Sequence, residues 1–436
     1  MSALLRYGVI LCLALGLAAC SSAEKLLNKV TGDDNTVLPG TREDALGPSA
    51  ETGDDTAQST DPIVLPAAQT NEGWMQPGGS ATNSLGNLSL GPNLSRIWSS
   101  DVGTGSGDGG RVVASPIVAG GRIFVLDADL RVTAISANGG GQLWRSSLVP
   151  EGKKDNGFGG GIASDGSRVY ATTIFGEAIA LDAASGGVVW RKTVGSPVRG
   201  APTIADGNLY FTSSANSVFA LRASDGSEIW KSEGIASQVA VLASTSPAVS
   251  RGFVVIPSTS GEVSAFSASS GAPSWTYNLA SGDPIDSASA ISSIAGRPVI
   301  EGGQVFAISN GGQMGAFALA NGQREWARDI SGSQTPWVAG DYVFVIAGGN
   351  TAMAVSRRTG AIRWKAQLPG KLWAGPVLGG GRLLAVSSEG QLASISAQTG
   401  QVLNTTEVGE KFYIAPVIAN GTIYLLSDSA TLTALR

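Results

Sequence analysis

The chain has no histidine among its 436 residues. Without imidazole it cannot form a histidine-based catalytic triad, a histidine-ligated haem site or most zinc sites. It has two cysteines, Cys12 and Cys20, and both lie close to the N-terminus. The rest of the chain therefore has no thiol for a disulfide, a nucleophile or a sulfur-ligated metal. Such a composition suits an oxidising compartment such as the periplasm.

Charged residues are also scarce, at 14% of the chain, and they are unevenly distributed. Residues 21–73 contain ten acidic and three basic residues, whereas residues 74–436 have a net charge of +1. The acidic segment has few large apolar residues and no sustained period, so we expect a solvated, flexible tether. The near-neutral remainder gives no sign of the basic patch that nucleic-acid binding needs.

What the chain does contain is a repeat. Residues 178–190 read as a strand, a turn rich in small residues and glycine, and a second strand that ends at Trp190. Seven copies share a glycine four residues before the tryptophan position: Gly140, Gly186, Gly226, Gly271, Gly322, Gly360 and Gly400. A small residue before proline marks the start of most copies, and Gly161-Ile162 and Arg297-Pro298 are divergent forms of this marker.

The eight starts are 38 to 51 residues apart, which is typical of a propeller blade. Each unit holds about four short strands and no helical pattern. The predicted fold is therefore all-β, an eight-bladed propeller with four-stranded antiparallel blades. The eighth copy lacks its tryptophan strand, and Leu94 to Trp98 supply one before the first marker. We expect this N-terminal strand to complete the last blade and close the ring.

The seven tryptophans in this strand could form an aromatic platform, but at one per blade they are expected to dock each blade on its neighbour. They are Trp98, Trp144, Trp190, Trp230, Trp275, Trp326 and Trp364. Asn404 occupies the tryptophan position in the seventh copy, so the interface between the seventh blade and the next should be the weakest.

Trp337 and Trp373 lie outside the motif and are candidates for lining the central channel or a face. Glycine-rich residues 103–110 and 157–161 lack a phosphate-binding motif and are interpreted as loops between blades.

The stretch from Asp182 to Trp190 resembles the tryptophan-docking motif of quinoprotein (PQQ-dependent) dehydrogenase propellers. With the N-terminus described next, the chain also resembles the BamB family, propeller lipoproteins of the outer-membrane β-barrel assembly (Bam) machinery. The repeat resemblance covers residues 74–436. The dehydrogenases typically carry an adjacent cysteine pair and calcium-ligating carboxylates, and this sequence has no matching motif for either. The resemblance therefore implies a scaffold that is not an enzyme and needs no cofactor or metal.

Residues 1–19 have the form of a signal peptide, with Arg6 before an apolar run too short to span a bilayer. Leu17 to Cys20 fits a bacterial lipobox, so Cys20 is predicted to be lipidated and to begin the mature chain. An ordinary secretory signal with an incidental cysteine is the alternative. The predicted organisation is a signal over 1–19, a lipidated tether over 20–73 and the propeller over 74–436. The predicted location is the outer membrane, facing the periplasm.

The family resemblance implies partners. They are the POTRA domains of the barrel-insertion subunit (BamA), the other Bam lipoproteins indirectly, and nascent outer-membrane proteins. In the family, an apolar pair followed by arginine precedes one proline marker, and an acidic pair precedes the next. Here Val239, Val241 and Leu242 keep the apolar character without the arginine, and Asp286 remains of the acidic pair. Two alternatives stay open: a periplasmic PQQ-type dehydrogenase or other small-molecule-binding propeller, and an envelope scaffold with an unrelated partner.

Overall fold

A computed structural model describes residues 58–153, 159–233, 245–258, 260–279 and 294–436. Within them, 32 strands form eight four-stranded antiparallel sheets, and there is no helix. The predicted eight-bladed propeller is thus confirmed. In the described part of the chain, no helix is long and apolar enough to cross a membrane.

Each blade consists of four strands, named here from the innermost to the outermost. Blade one has β2 (Ile117–Ala119), β3 (Arg122–Leu126), β4 (Arg131–Ser136) and β5 (Gln142–Ser147), and blade two has β6 (Gly161–Ser164), β7 (Arg168–Thr173), β8 (Glu177–Asp182) and β9 (Val188–Thr193). Blade three has β10 (Thr203–Ala205), β11 (Asn208–Thr212), β12 (Val218–Arg222) and β13 (Glu228–Ser232), and blade four has β14 (Ala248–Ser250), β15 (Phe253–Pro257), β16 (Glu262–Ser267) and β17 (Pro273–Asn278). Blade five has β18 (Val299–Glu301), β19 (Gln304–Ile308), β20 (Met314–Ala318) and β21 (Arg324–Arg328), and blade six has β22 (Trp337–Ala339), β23 (Tyr342–Ala347), β24 (Thr351–Ser356) and β25 (Ile362–Gln367). Blade seven has β26 (Trp373–Gly379), β27 (Arg382–Ser387), β28 (Gln391–Ser396) and β29 (Val402–Glu407), and blade eight has β30 (Val417–Ala419), β31 (Thr422–Leu426), β32 (Thr431–Leu435) and β1 (Arg96–Asp101).

The alternation of apolar residues explains where the core lies. Most residues of the two middle strands are buried, as in β3 and β4, and these strands pack against the neighbouring blades. The outermost strands, such as β5, alternate between exposed and half-buried residues because one face meets solvent. Burial is therefore greatest between blades, where β-branched and aromatic side chains fill the sheet-to-sheet space.

The N-terminal strand closes the ring as predicted. β1 pairs antiparallel with β32, and Trp98 lies opposite Ala434. Trp144 in blade one lies opposite Ala134 in the same way. A strand from the beginning of the described chain thus completes the blade formed at its end, and the sheet edge of β32 is hydrogen-bonded instead of open.

Residues 71–88, here named the inner ring, contact the eight blades in order around the channel. The hydrogen bonds pair Asn71 with Asn420, Trp74 with Val118, Met75 with Ser164, Gln76 with Ile204, Ala81 with Val249, Thr82 with Ile300, Gly86 with the Trp337 indole, and Leu88 with Leu378. These short innermost strands would otherwise leave backbone groups without partners in the channel. The inner ring therefore ties every blade to one continuous segment.

Residues 58–73, which the sequence assigned to the tether, lie against the blades. Ser59 donates its backbone N–H to Ile362 O, and its hydroxyl lies 2.9 Å from the Tyr342 hydroxyl. Ile63 is 6% exposed, and Tyr342 donates to the Asp61 carbonyl at 2.6 Å. One buried apolar side chain and these hydrogen bonds hold a segment whose composition alone predicted no packing. The packed region of the chain thus extends upstream of Trp74.

Each end of the propeller carries two of the four connections of every blade unit. We name loop face the end where the outermost strand of one blade connects to the innermost strand of the next. The hairpin face is the opposite end, where each innermost strand turns into the second strand. Because strands alternate in direction, residues just before an innermost strand belong to the loop face. Ile362 and Gly340, which adjoin residues 58–64, belong to the hairpin face.

A buried tyrosine in blade two predicts how stability changes at high pH. Tyr170 donates to Asp165 at 2.7 Å, and burial together with this carboxylate raises the pKa of Tyr170 well above its usual value. Above pH about 10, tyrosine ionises in the unfolded chain but stays protonated in the fold, so stability falls as pH rises. We expect Tyr170→Phe to reduce the steepness of this loss, measured as melting temperature between pH 8 and 11.5. Tyr413→Phe, at an exposed tyrosine, is the control; an equal effect there would contradict the prediction.

Candidate functional site

The motif tryptophans lie between blades. The Trp144 indole donates to Ala183 O of blade two at 3.1 Å. A Cβ added to Gly186, also in blade two, would stand 2.5 Å from the Trp144 ring. The motif glycine thus makes room for the tryptophan of the preceding blade, while its positive φ of 76° forms the turn. The sequence had linked each glycine only to the tryptophan four residues after it.

The same geometry recurs around the ring. The indole acceptors are carbonyls three residues before the motif glycine: Ala223 for Trp190, Ala268 for Trp230, Leu319 for Trp275, Arg357 for Trp326 and Ala397 for Trp364. Trp98 packs against Gly140 of blade one, but its buried Nε1 has no hydrogen-bond acceptor in the described part of the chain. Trp98 therefore makes the packing contact of the motif without its hydrogen bond.

Blade seven departs from this pattern. Asn404 is exposed and donates to Thr406 in its own strand at 3.0 Å. A groove of about 810 Å³ lies beside it, lined by Leu403 and Asn404 from blade seven and by Thr433 and Leu435 from blade eight. The missing indole thus leaves space between these two blades, and Leu403 is 54% exposed.

This groove leads to a prediction about local stability. Without a docking side chain, β29 should exchange its amide hydrogens faster than the equivalent strands β5, β9 and β25. Asn404→Trp should slow that exchange by filling the groove. Hydrogen exchange followed by mass spectrometry makes the comparison, with Asn138→Trp, at an exposed turn between β4 and β5, as the matched control. Equal exchange in the four parent strands would contradict the prediction.

The central channel contains a cavity of about 320 Å³ at its loop-face end. Trp74, Pro77, Gly78 and Asn83 of the inner ring form one side of it. The other walls are residues before the innermost strands, including several proline markers. Trp74 stacks on Trp337 with ring centroids 6.1 Å apart and planes at 21°. The inner ring thus forms part of the wall of this cavity.

The two tryptophans outside the motif occupy different places. Trp337 lines the cavity and donates to Gly86 O at 2.8 Å. Trp373 is 2% exposed in the core and donates to Pro369 O at 2.6 Å. One of the two candidates for the channel therefore lies there, while the other packs inside blade seven.

Arg297 is the charged residue of this cavity. Its backbone N–H and one terminal nitrogen donate to Thr335 Oγ1, at 3.2 and 3.3 Å. Its Nε is fully buried without a partner among the described residues. Burial lowers the pKa of Arg297 to about 10, and no carboxylate in the described ranges offsets that effect. The guanidinium is still a cation at neutral pH.

The buried carboxylate of Asp127 stabilises the backbone around it. Asp127 is buried and accepts N–H bonds from Thr104, Asp129 and Arg131, at 3.1, 3.0 and 2.8 Å. Burial raises the pKa of Asp127, although these bonds and the Arg131 charge oppose that rise. No group of three or more acidic residues that could hold a metal occurs in the described ranges.

The predicted partner residues Val239, Val241, Leu242 and Asp286 lie outside the described residues, as does Cys20. The strand ends that flank them are described. Residues 234–244 follow β13 and precede β14, and residues 280–293 follow β17 and precede β18. In the sequence, both segments therefore connect consecutive blades.

Comparison with known proteins supplies the family. The model of the family described as outer membrane protein assembly factor BamB matches residues 128–366 and 350–436. The chain belongs to the BamB family. A BamB from Yersinia pestis is 25% identical over 303 residues, which is 68% of this chain and 77% of that protein. A BamB from Moranella endobia is 24% identical over 276 residues, 62% of this chain and 71% of that protein.

Solved structures show the fold shared by this family and by enzymes. BamB from Moraxella catarrhalis has a TM-score of 0.67 at 18% identity and covers 79% of this chain and 100% of its own. Quinohemoprotein alcohol dehydrogenase from Comamonas testosteroni scores 0.70 at 14% identity, covering 84% and 81%. At such identities structural likeness establishes the propeller alone, so the sequence match to the BamB family decides between them. The prediction of an outer-membrane assembly factor is thereby confirmed.

Proposed function

We propose that this protein is a lipid-anchored scaffold of the Bam complex that works by protein–protein contact, without catalysis. Membership of the BamB family is the observation that carries this proposal. The absence of histidine and of any cysteine after Cys20 supports a role other than catalysis. The described carboxylates form no metal-binding group, which argues against calcium-dependent quinone chemistry.

In this proposal the barrel-insertion subunit binds the loop face through its POTRA domains. The segments 234–244 and 280–293 are the proposed contacts, with Val239, Val241 and Leu242 as apolar anchors and Asp286 as a polar one. The strands that flank the two segments belong to blades three, four and five, which are consecutive around the ring. Neighbouring loops from consecutive blades suit one continuous binding surface, and apolar anchors can carry most of its affinity.

In this proposal the tether joins the propeller at Gln58, which pairs with a residue of the hairpin face. Cleavage after Ala19 and lipidation of Cys20 would leave the segment between Cys20 and Gln58 to link the anchor to the propeller. Gln58 pairs with Ile362 at the hairpin face, and this attachment supports an arrangement in which the loop face is free. Anchored in this way at the outer membrane, the propeller would present its partner loops into the periplasm.

The test is a pull-down of the lipidated protein from gently solubilised envelopes, with partners identified by mass spectrometry. We expect the barrel-insertion subunit to be recovered, and we expect Val241→Asp with Leu242→Asp to lower its recovery by about tenfold or more. The matched control makes the same change to aspartate at Val188 and Val189, an exposed pair on β9. Absence of that subunit from a folded, abundant sample, or equal loss in both variants, would refute the proposed surface.

A further inference from the structure

Arg297 stands out when the eight blades are aligned. In the other blades with the proline marker, the residue before proline is small: Ser115, Ala201, Ser246, Thr335, Gly375 and Ala415. Blade five has an arginine at this position, where the eight blades converge on the channel. Its guanidinium makes one hydrogen bond to the next blade, to Thr335 of blade six, and has no part in the tryptophan docking or in the closure of the ring. Its placement needs another explanation.

Arg297 is half-buried and its Nε is fully buried, so part of the charged group is withdrawn from water. Removing a cation from water is costly unless a negative group compensates for the lost hydration. In the described part of the chain no such group offsets the charge of Arg297, and its Nε donates no hydrogen bond. Thr335 Oγ1 accepts two hydrogens from Arg297 but carries no charge. An anion entering the cavity would supply the missing compensation.

Two neighbouring side chains offer donors to the same space. Gln334 accepts the Gly375 N–H through Oε1 at 3.2 Å, which leaves its NH₂ group as a donor, and Gln334 lines the cavity. Thr335 Oγ1 accepts both hydrogens from Arg297, so its own hydroxyl hydrogen is available to donate. A guanidinium, an amide NH₂ and a hydroxyl therefore belong to residues that line one cavity, and together they favour an acceptor with more than one oxygen.

We propose that Arg297, Gln334 and Thr335 form a binding site for a small organic carboxylate in the central cavity. A carboxylate matches the planar guanidinium with two oxygens. The same cavity is also lined by apolar side chains, among them the stacked Trp74 and Trp337 and Val377 and Pro416. A volume of about 320 Å³ accommodates a compact organic body beside the charged group. The site opens at the loop face and is independent of the proposed role in the Bam complex.

The test compares the full-length protein in mild detergent with Arg297→Ser, which installs the residue found in blades one and four. The probe is sodium benzoate at constant ionic strength, and binding is followed by calorimetry and by tryptophan fluorescence. We expect benzoate to bind the parent protein and its affinity to fall about tenfold or more in Arg297→Ser, since a charged hydrogen bond is lost. Without benzoate, Arg297→Ser should melt at a higher temperature than the parent. Arg297→Lys should keep partial affinity.

Two controls complete the design. Arg363→Ser, at an exposed arginine of β25, should bind benzoate like the parent. Sodium sulfate tests the chemical class, and binding as tight as that of benzoate would overturn the assignment to organic carboxylates. Absence of benzoate binding to the parent, or equal binding to Arg297→Ser, would overturn the site itself. A lower melting temperature in Arg297→Ser than in the parent would also overturn the site, because it would show that a carboxylate of this chain already pairs with Arg297.

Discussion

Gly271→Ala is expected to lower the free energy of unfolding by about 2–4 kcal/mol, because it imposes two separate costs. The backbone of Gly271 has a φ of +71°, which costs alanine about 1 kcal/mol. The new methyl group would also stand 2.5 Å from the ring of Trp230, which is 8% exposed. Displacing that indole would weaken its hydrogen bond to Ala268 O, now 2.9 Å long. The measurement is the midpoint of urea unfolding.

Gly207→Ala is the matched control for this substitution. Gly207 has a φ of +74°, nearly that of Gly271, but an added Cβ would meet nothing within 4 Å. It should therefore show the backbone cost alone, about 1 kcal/mol. The difference between the two variants isolates the contact between blades. Equal urea midpoints for the two variants would mean that Gly271 is needed only for the positive φ of its turn and not for the contact with Trp230.

Trp74→Ala is expected to cost about 3–5 kcal/mol, as large-to-small changes of buried aromatic residues do. Trp74 is 3% exposed and stacks on Trp337. Its backbone exchanges two hydrogen bonds with Val118, so the side chain fixes the point where the inner ring meets blade one. Loss of the indole should loosen the ring as well as leave a cavity. Urea unfolding measures the cost.

Leu143→Ala is the control for Trp74→Ala. Leu143 is 51% exposed on β5, so its removal should change stability by no more than about 0.5 kcal/mol. Hydrogen exchange at Val118 and Ser164 gives a second measurement, since both donate to the inner ring. Unchanged exchange at both amides in Trp74→Ala would contradict a role for the indole in fixing the ring.

The propeller can be predicted from the sequence because its signals repeat. A glycine and a tryptophan at constant spacing report a contact that is the same in every blade, and Trp98 marks the missing strand because it keeps the distance to the next marker. The inner ring has no such signal. Its contacts with eight blades are made mostly by backbone atoms, and backbone hydrogen bonds leave little pattern in side-chain identity.

The cavity shows a different limit of sequence reasoning. Arg297 is visible as an irregular marker, but a single sequence cannot show that the residues before Pro336 face the same cavity. That convergence is a product of ring closure, which brings together residues from separate blades. The sequence predicts that the propeller begins at Trp74, although packing already begins upstream of it, and the stacking of Trp74 on Trp337 depends on a contact between distant parts of the chain. The proposed partner residues remain predictions from family resemblance.

The inner ring has a consequence for the order in which the molecule assembles. Residues 71–88 leave the ribosome before any blade does, and blades one to seven then follow in the order in which the ring contacts them. Each emerging blade can thus find a strand-like partner already present, which shortens the search for its place. β1 must wait for β32, the last strand of the chain, and such long-range pairing is intrinsically slow. The inner ring would therefore hold blades one to seven in their order until β1 pairs with β32 and the propeller closes.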